Sequence, residues 1–192
     1  MEEEGKVKMT IKKKIAIAVS ALLLLVSAGY FLYIEEQGNF HPITHGEAYR
    51  SAQLDRDEFE YYIRKYAIRS IVNLRGRNPD APWYREEKMV SAENNIRHYD
   101  ISLSASREPS EDNVRELISI FQNAPRPVLI HCQAGADRSG LAAAMWKVVV
   151  DNESKAQAEK QLSIVFGHIP IGKTTAMDRF FENWVSRIVD QR

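Results

Sequence analysis

The chain of 192 residues holds a single cysteine, and the residues around it are the ones most able to do chemistry. Cys132 lies in the run His131-Cys132-Gln133-Ala134-Gly135-Ala136-Asp137-Arg138-Ser139-Gly140. The five residues between Cys132 and Arg138 are enough to wrap a cradle whose backbone N–H groups point inward. A nest of that kind, opening a helix, seats a tetrahedral dianion. Positive partial charge at the same turn is also what a cysteine needs to react as a thiolate. Arg138 brings a planar guanidinium fork that can grip two phosphoryl oxygens through a transfer step. Gly135 supplies backbone angles that a side chain would forbid. Nucleophile, anion seat and clamp in one loop are the parts that phosphoryl transfer through cysteine requires. The expected substrate-binding stretch is Gln133, Ala134, Gly135, Ala136, Asp137 and Arg138.

Such a loop needs a strand to enter it and a helix to leave it. Pro127 to His131 reads as a buried strand, and Ser139 to Val150 as a helix. Upstream, Arg56 to Tyr66 has a helical apolar face, Ser70 to Leu74 is β-rich, and a Gly/Pro loop from Arg75 to Pro82 leads into a helix ending near Asn94. Ile96 to Ile101 alternates as a strand does. Ser110 is placed to cap a helix running to about Gln122, with Glu111 and Asp112 in its first turn. Two further helices are expected near Ser154 to Val165 and Thr174 to Val189. Trp146, Phe180, Phe181 and Trp184 sit at helical spacings that suit a core. Strands alternating with helices predict an α/β layer structure with a central, mainly parallel sheet of about four to five strands flanked by helices.

Residues 15–34 contain no charge, and at ~1.5 Å per residue they just cross a hydrocarbon core of roughly 30 Å. Lys6, Lys8, Lys12, Lys13 and Lys14 precede them, and Glu35 and Glu36 follow. The positive-inside rule then predicts residues 1–14 as a basic cytoplasmic terminus, 15–34 as a single-pass signal anchor, and 38–192 as one exported domain. A cleavable signal peptide is the competing reading, with Val26-Ser27-Ala28 as its cleavage site. Lys plus Arg total 26 and Asp plus Glu total 26, so no basic excess exists to neutralise nucleic-acid phosphates. One cysteine excludes a disulfide framework and a cysteine-based zinc site. His41, His45, His98 and His168 show no metal-ligand spacing.

With His131, Cys132, Gly135, Arg138 and Ser139 in place, the loop resembles the signature of the protein tyrosine and dual-specificity phosphatase superfamily. Tyr49-Arg50-Ser51-Ala52-Gln53 followed by Ile71-Val72-Asn73-Leu74-Arg75 is similar to the N-terminal half of its atypical dual-specificity members. The resemblance implies the three-layer cysteine-phosphatase fold and assigns roles. Cys132 is the nucleophile, Arg138 binds the phosphoryl group, Ser139 assists breakdown of the phosphocysteine, and His131 orients the cysteine loop. It implies no metal and no cofactor. The expected substrate is a phosphate monoester, carried either by a phosphoprotein such as phosphotyrosine or by a phospholipid or phosphoinositide near the anchor. No nucleotide or nucleic-acid partner is expected.

The general acid is open at this point. The family usually takes it from an aspartate on a loop upstream of the cysteine. Here the only aspartate of that region, Asp100, sits inside the predicted strand. Asp137, inside the cysteine loop, resembles the loop aspartate of myotubularins and certain secreted bacterial phosphatases. Glu108 and Glu111 are weaker alternatives. Arg50 and Arg75 could line the pocket or form buried ion pairs. Gly167 to Thr174 fits the nucleotide P-loop pattern, but Ile169, Pro170 and Ile171 make it stiff for a phosphate cradle, so a turn between the last two helices is expected. Two rival functions carry a similar loop, a rhodanese-type sulfurtransferase and a phospho-ligand-binding pseudophosphatase.

Overall fold

The structure, a computed structural model, describes residues 10–189. Helix α1 (Ile11–Glu36) is long and apolar enough to cross a membrane, and its most apolar window is unburied, while Ile34 at the end of the apolar stretch is buried. Lys12, Lys13 and Lys14 lie in its first turn, whereas Lys6 and Lys8 fall outside the described residues.

The domain that follows contains β1 (His41–Thr44), β2 (Ala48–Ser51), α2 (Arg56–Tyr66), β3 (Ser70–Asn73), α3 (Pro82–Glu93), β4 (Arg97–Asp100), α4 (Glu111–Asn123), β5 (Val128–His131), α5 (Asp137–Val149), α6 (Lys155–Ala158) and α7 (Thr175–Val189). The five strands form one sheet in the order β1-β2-β5-β3-β4, parallel except at the β1–β2 hairpin. From β2 to β4 the connections step one way across the sheet, and from β4 to β5 they step back. Crossovers of one hand then put α2 and α3 on one face and α4 and α5 on the other. The pleat divides the core accordingly. Tyr49, Ile71 and Leu129 pack with Phe59, Ile63 and Val90 on the first face. Ala48, Val72, Val128 and Ile130 pack with Phe121, Leu141 and Trp146 on the second. This is the expected three-layer arrangement.

Local chemistry explains the helix ends. Asp55 and Glu58 form a capping box at α2, each side chain bonding the other's backbone N–H. Ser110 caps α4 by accepting from the Asn113 N–H. Phe180, Phe181 and Trp184 are buried on the inner face of α7.

Two expectations need correction, and one strand pair was not anticipated. The β1–β2 hairpin is a strand pair that periodicity does not reveal, because its strands are four residues long and one is an edge carrying Pro42. The helix expected over residues 154–165 breaks after α6 into short 3₁₀ turns at Glu159–Gln161 and Ile164–Phe166, where backbone carbonyls are needed elsewhere. Helix α5 starts at Asp137 instead of Ser139, since the end of the cysteine loop is already its first turn. Residues 167–174 form the expected turn. A 3₁₀ turn precedes them, not a strand, and Thr174 Oγ1 donates to the Ile169 carbonyl.

Candidate active site

Cys132 follows the last residue of β5, at the edge where all the parallel strands end. The loop from Cys132 to Arg138 is shaped from outside by donors that take its carbonyl groups. The Gln53 N–H donates to the Gln133 carbonyl at 3.1 Å. Asn39 Nδ2 donates to Ala134 O at 2.9 Å. Arg50 Nη2 donates to Gly135 O and Ala136 O, both at 2.9 Å. In a trans peptide the C=O and the next N–H point in opposite directions. Four carbonyls drawn outward therefore turn the N–H groups of Ala134, Gly135, Ala136 and Asp137 into the hollow beside Cys132. The inward nest follows from this arrangement.

Gly135 is required here on two counts. Its φ is +68°, and a Cβ would stand 2.6 Å from Ala52 N and 2.9 Å from Asn39 Nδ2.

Arg50 is fully buried, yet no carboxylate among the described residues forms an ion pair with it. It acts as a carbonyl clamp, reaching Gln161 O (2.7 Å) and Gln161 Oε1 (3.2 Å) through Nη1 as well, with its plane 4.4 Å from the Phe166 ring centroid. Burial lowers its pKa to about 10, partly offset by the Cys132 and Asp137 charges. It remains a cation at neutral pH. The buried ion pair expected as an alternative for Arg50 is thus replaced by carbonyl contacts, and these also explain why the helix after α6 breaks at Gln161. Arg75 does reach the rim of the site. Its guanidinium stacks on Trp83 at 3.5 Å and Nη1 donates to Gln53 Oε1 at 2.9 Å. Desolvation, and then the nearby Arg138 charge, lower its pKa.

Inside the cup, the Cys132 thiol lies 3.5 Å from Ser139 Oγ, and both residues are buried. Arg138 Nη1 makes a long 3.5 Å contact with Leu103 O, while its buried Nε has no partner. A buried donor left open at the mouth of an N–H nest is what an anion site looks like before its anion arrives.

Behind the cysteine, His131 Nε2 is 3.0 Å from Glu87 Oε1, and both are fully buried. Glu87 also receives His98 Nε2 at 2.7 Å and Gln53 Nε2 at 2.9 Å. Burial opposes its ionisation, but the His131 charge and the bonds from His131, His98 and Gln53 outweigh that and hold the carboxyl far below its usual range. Sequence reasoning missed Glu87. The signal was a carboxylate in register with Tyr84 and Val90 on the buried face of α3.

The acid candidates separate. Both oxygens of Asp100 are taken, by Asn73 Nδ2 (2.8 Å) and by Tyr84 OH (2.6 Å). Desolvation and that bond to Asp100 push the Tyr84 phenol up to about 12, so it keeps the proton it donates. Glu108 pairs with Arg179 and Glu111 with Arg115, both at the surface. Asp137 alone sits in the loop itself, its Oδ1 at 2.7 Å from His168 Nδ1. His168 Nε2 in turn lies 3.1 Å from Asp178 Oδ2 on α7. Burial works against charging His168, but the two carboxylates prevail and raise its pKa. His168, set aside on spacing, thus joins the site through space, because residue 168 is far from 137 in sequence.

Residues 38–179 match the family PTP-NADK, described as "DSP-PTPase phosphatase fused to NAD+ Kinase". The chain belongs to this family. This dual-specificity-type phosphatase is 29% identical over 90 residues to the tyrosine-protein phosphatase cdc-14 of Caenorhabditis elegans, an alignment covering 47% of the chain and 12% of that protein. Its fold is shared with P. aeruginosa TpbA, at a TM-score of 0.58 and 23% identity, covering 76% of this chain and 84% of that one. The core catalytic domain of S. cerevisiae SIW14 superposes at a TM-score of 0.59 with 19% identity, covering 80% and 91%. The family is one of cysteine-dependent phosphatases, and the match favours that class over the sulfurtransferase reading.

Proposed function

We propose that the phosphatase hydrolyses phosphate monoesters at a membrane surface through a phosphocysteine intermediate, with its catalytic domain exported and α1 as the anchor. The observation that carries the mechanism is the loop whose four carbonyls at residues 133–136 are engaged outward, leaving the N–H groups that follow them turned inward and Arg138 Nε unpartnered. The Cys132 thiolate attacks phosphorus while the bond to the leaving oxygen breaks, and Asp137 supplies that oxygen's proton. Water then attacks the phosphocysteine and passes its proton to Asp137. The S–P bond breaks, phosphate leaves, and the Ser139 hydroxyl donates to the departing thiolate. Arg138 grips the phosphoryl oxygens in both steps. Phosphotyrosine, captured in a variant of TpbA, supports a phosphoprotein substrate. The position of the loop beside the anchor equally supports a phospholipid.

The test uses the full chain in lipid bilayers with chelator present, comparing wild type with Cys132→Ser on an aryl phosphate, a phosphotyrosine peptide and a phosphoinositide. Turnover should persist in chelator, vanish in the variant, and leave an acid-quenched phosphoenzyme only with Cys132. Turnover surviving the substitution would rule out the phosphocysteine route.

A further inference from the structure

The span delivers the chain to a particular edge of the sheet. Strand β1 runs antiparallel to β2, whereas β2, β5, β3 and β4 run parallel, so α1 enters where those four strands end. That is the edge carrying the phosphate loop. The junction is tight. The Asn39 N–H closes α1 on the Ile34 carbonyl at 2.7 Å, and its side-chain amide bridges Ala134 O and Phe166 O. A cleft of about 520 Å³ runs between them, lined by Ile34, Gly38, Ala52, Gln53, Gln133 and Ala134 among others.

The stretch that meets α1 here is unusually apolar for a surface. Ile164 is 60% exposed, Val165 52%, Ile169 40% and Ile171 75%, and exposed Lys173 follows. Scattered apolar residues on a surface need no explanation, but a cluster continuous with another apolar surface does. That second surface is the exposed apolar side of α1 at residues 22–26, which ends about one turn before Tyr30, the residue through which this stretch touches the helix. Depth is set by one contact. Tyr30 OH donates to the Val165 carbonyl at 2.7 Å. Tyr30 lies about 6 Å along the helix axis inside Ile34, where the apolar run ends. Whatever touches Tyr30 therefore sits at the boundary between acyl chains and head groups, the level tyrosines favour.

We propose that residues 164–173 rest in the lipid bilayer at that boundary, as a second membrane contact that turns the mouth of the phosphate loop towards the head groups. Branched aliphatics enter the acyl edge to a depth of about 5–10 Å, and Lys173 meets anionic head groups. This rests on the reading of α1 as a membrane span. It makes the catalytic cleft face the bilayer, which favours phosphate esters presented at the membrane surface.

The test uses the full chain in proteoliposomes with Cys132→Ser, which removes the only native thiol. Leu23→Cys, Ile171→Cys and Asn123→Cys are added singly and labelled with an environment-sensitive fluorophore. Asn123 ends α4 at the opposite edge of the sheet. Lipids with a nitroxide just below the head group should remove most of the emission at position 171 and leave position 123 unchanged, while deep nitroxides quench position 23. Quenching at 23 with none at 171 would overturn the membrane contact and leave the span intact. No quenching at 23 would overturn the span and the contact with it. A label at 171 that is shielded from water yet unquenched would assign the patch to a protein surface, such as a second copy of the chain, and overturn the proposal.

Discussion

Arg50 and Asp137 illustrate how single side chains set up the site. A buried guanidinium with no carboxylate beside it is expensive unless its donors are filled, and here carbonyls fill both Nη groups while Nε stays unpartnered. A lysine could not span those carbonyls, because its donors radiate from one point and lack the planar fork. Asp137 differs, since the work proposed for it is done on the substrate. Asp137→Asn keeps an oxygen for His168 and removes the transferable proton. Hydrolysis of alkyl phosphates should fall about 10²- to 10³-fold, and that of activated aryl phosphates far less, because only the poor leaving group needs protonation. Parallel kcat measurements on both substrates decide it. Equal losses would make Asp137 a structural partner of His168.

At the scale of elements, two carboxylate–imidazole groups, one buried and one half-buried, tie helices to the loop, and they act in opposite pH windows. Glu87 joins α3 to β4 and β5. Its pKa is lowered on folding from 4.5, so its stabilisation is present above that value and is lost as pH falls below it. Glu87→Gln should cost about 2 kcal/mol at neutral pH and flatten the acid limb of the stability profile. His168 joins the start of α5 to α7. Its pKa is raised from 6.5, so its contribution is complete below that value and fades as pH rises through the higher folded-state value. His168→Gln should be less stable than wild type at pH 6 and approach it in alkali. Denaturant melts across pH, read for both variants, check the two slopes independently. Parallel curves for wild type and His168→Gln would show that folding leaves the histidine's pKa unchanged and would overturn the coupling to Asp137 and Asp178.

The whole molecule is an apolar helix joined without a linker to a three-layer domain. If the lysines before the helix stay in the cytoplasm, a reporter active only outside the cytoplasm should give signal when fused after Glu36. The same fusion with Lys12, Lys13 and Lys14 replaced by glutamate should lose much of that signal. A silent parent fusion would reverse the orientation, and with it the exported catalytic domain.

How much of this was legible beforehand follows from the range of the interactions involved. The cysteine loop is a local device, with Cys132, the backbone nest and Arg138 adjacent in sequence, so the candidate residues could be picked out from their spacing. Helices α2 and α4 were legible for the same reason, since their caps and apolar faces repeat over a few residues. A helix long and apolar enough to cross a membrane is recognised from length and composition alone. Tertiary structure decided the rest, where one residue's role depends on another distant in the chain. Asn39, Arg50 and Gln53 form the outer mould of a loop more than seventy residues later, and Glu87 supports His131 from a helix on the far side of β3. No periodicity encodes such contacts. Asp100 shows the converse, since its place in sequence admitted an acid role until Asn73 and Tyr84 were seen to occupy both its oxygens. Short-range chemistry was written in the order of residues, and the partners that orient it exist only once the sheet brings its strand ends together.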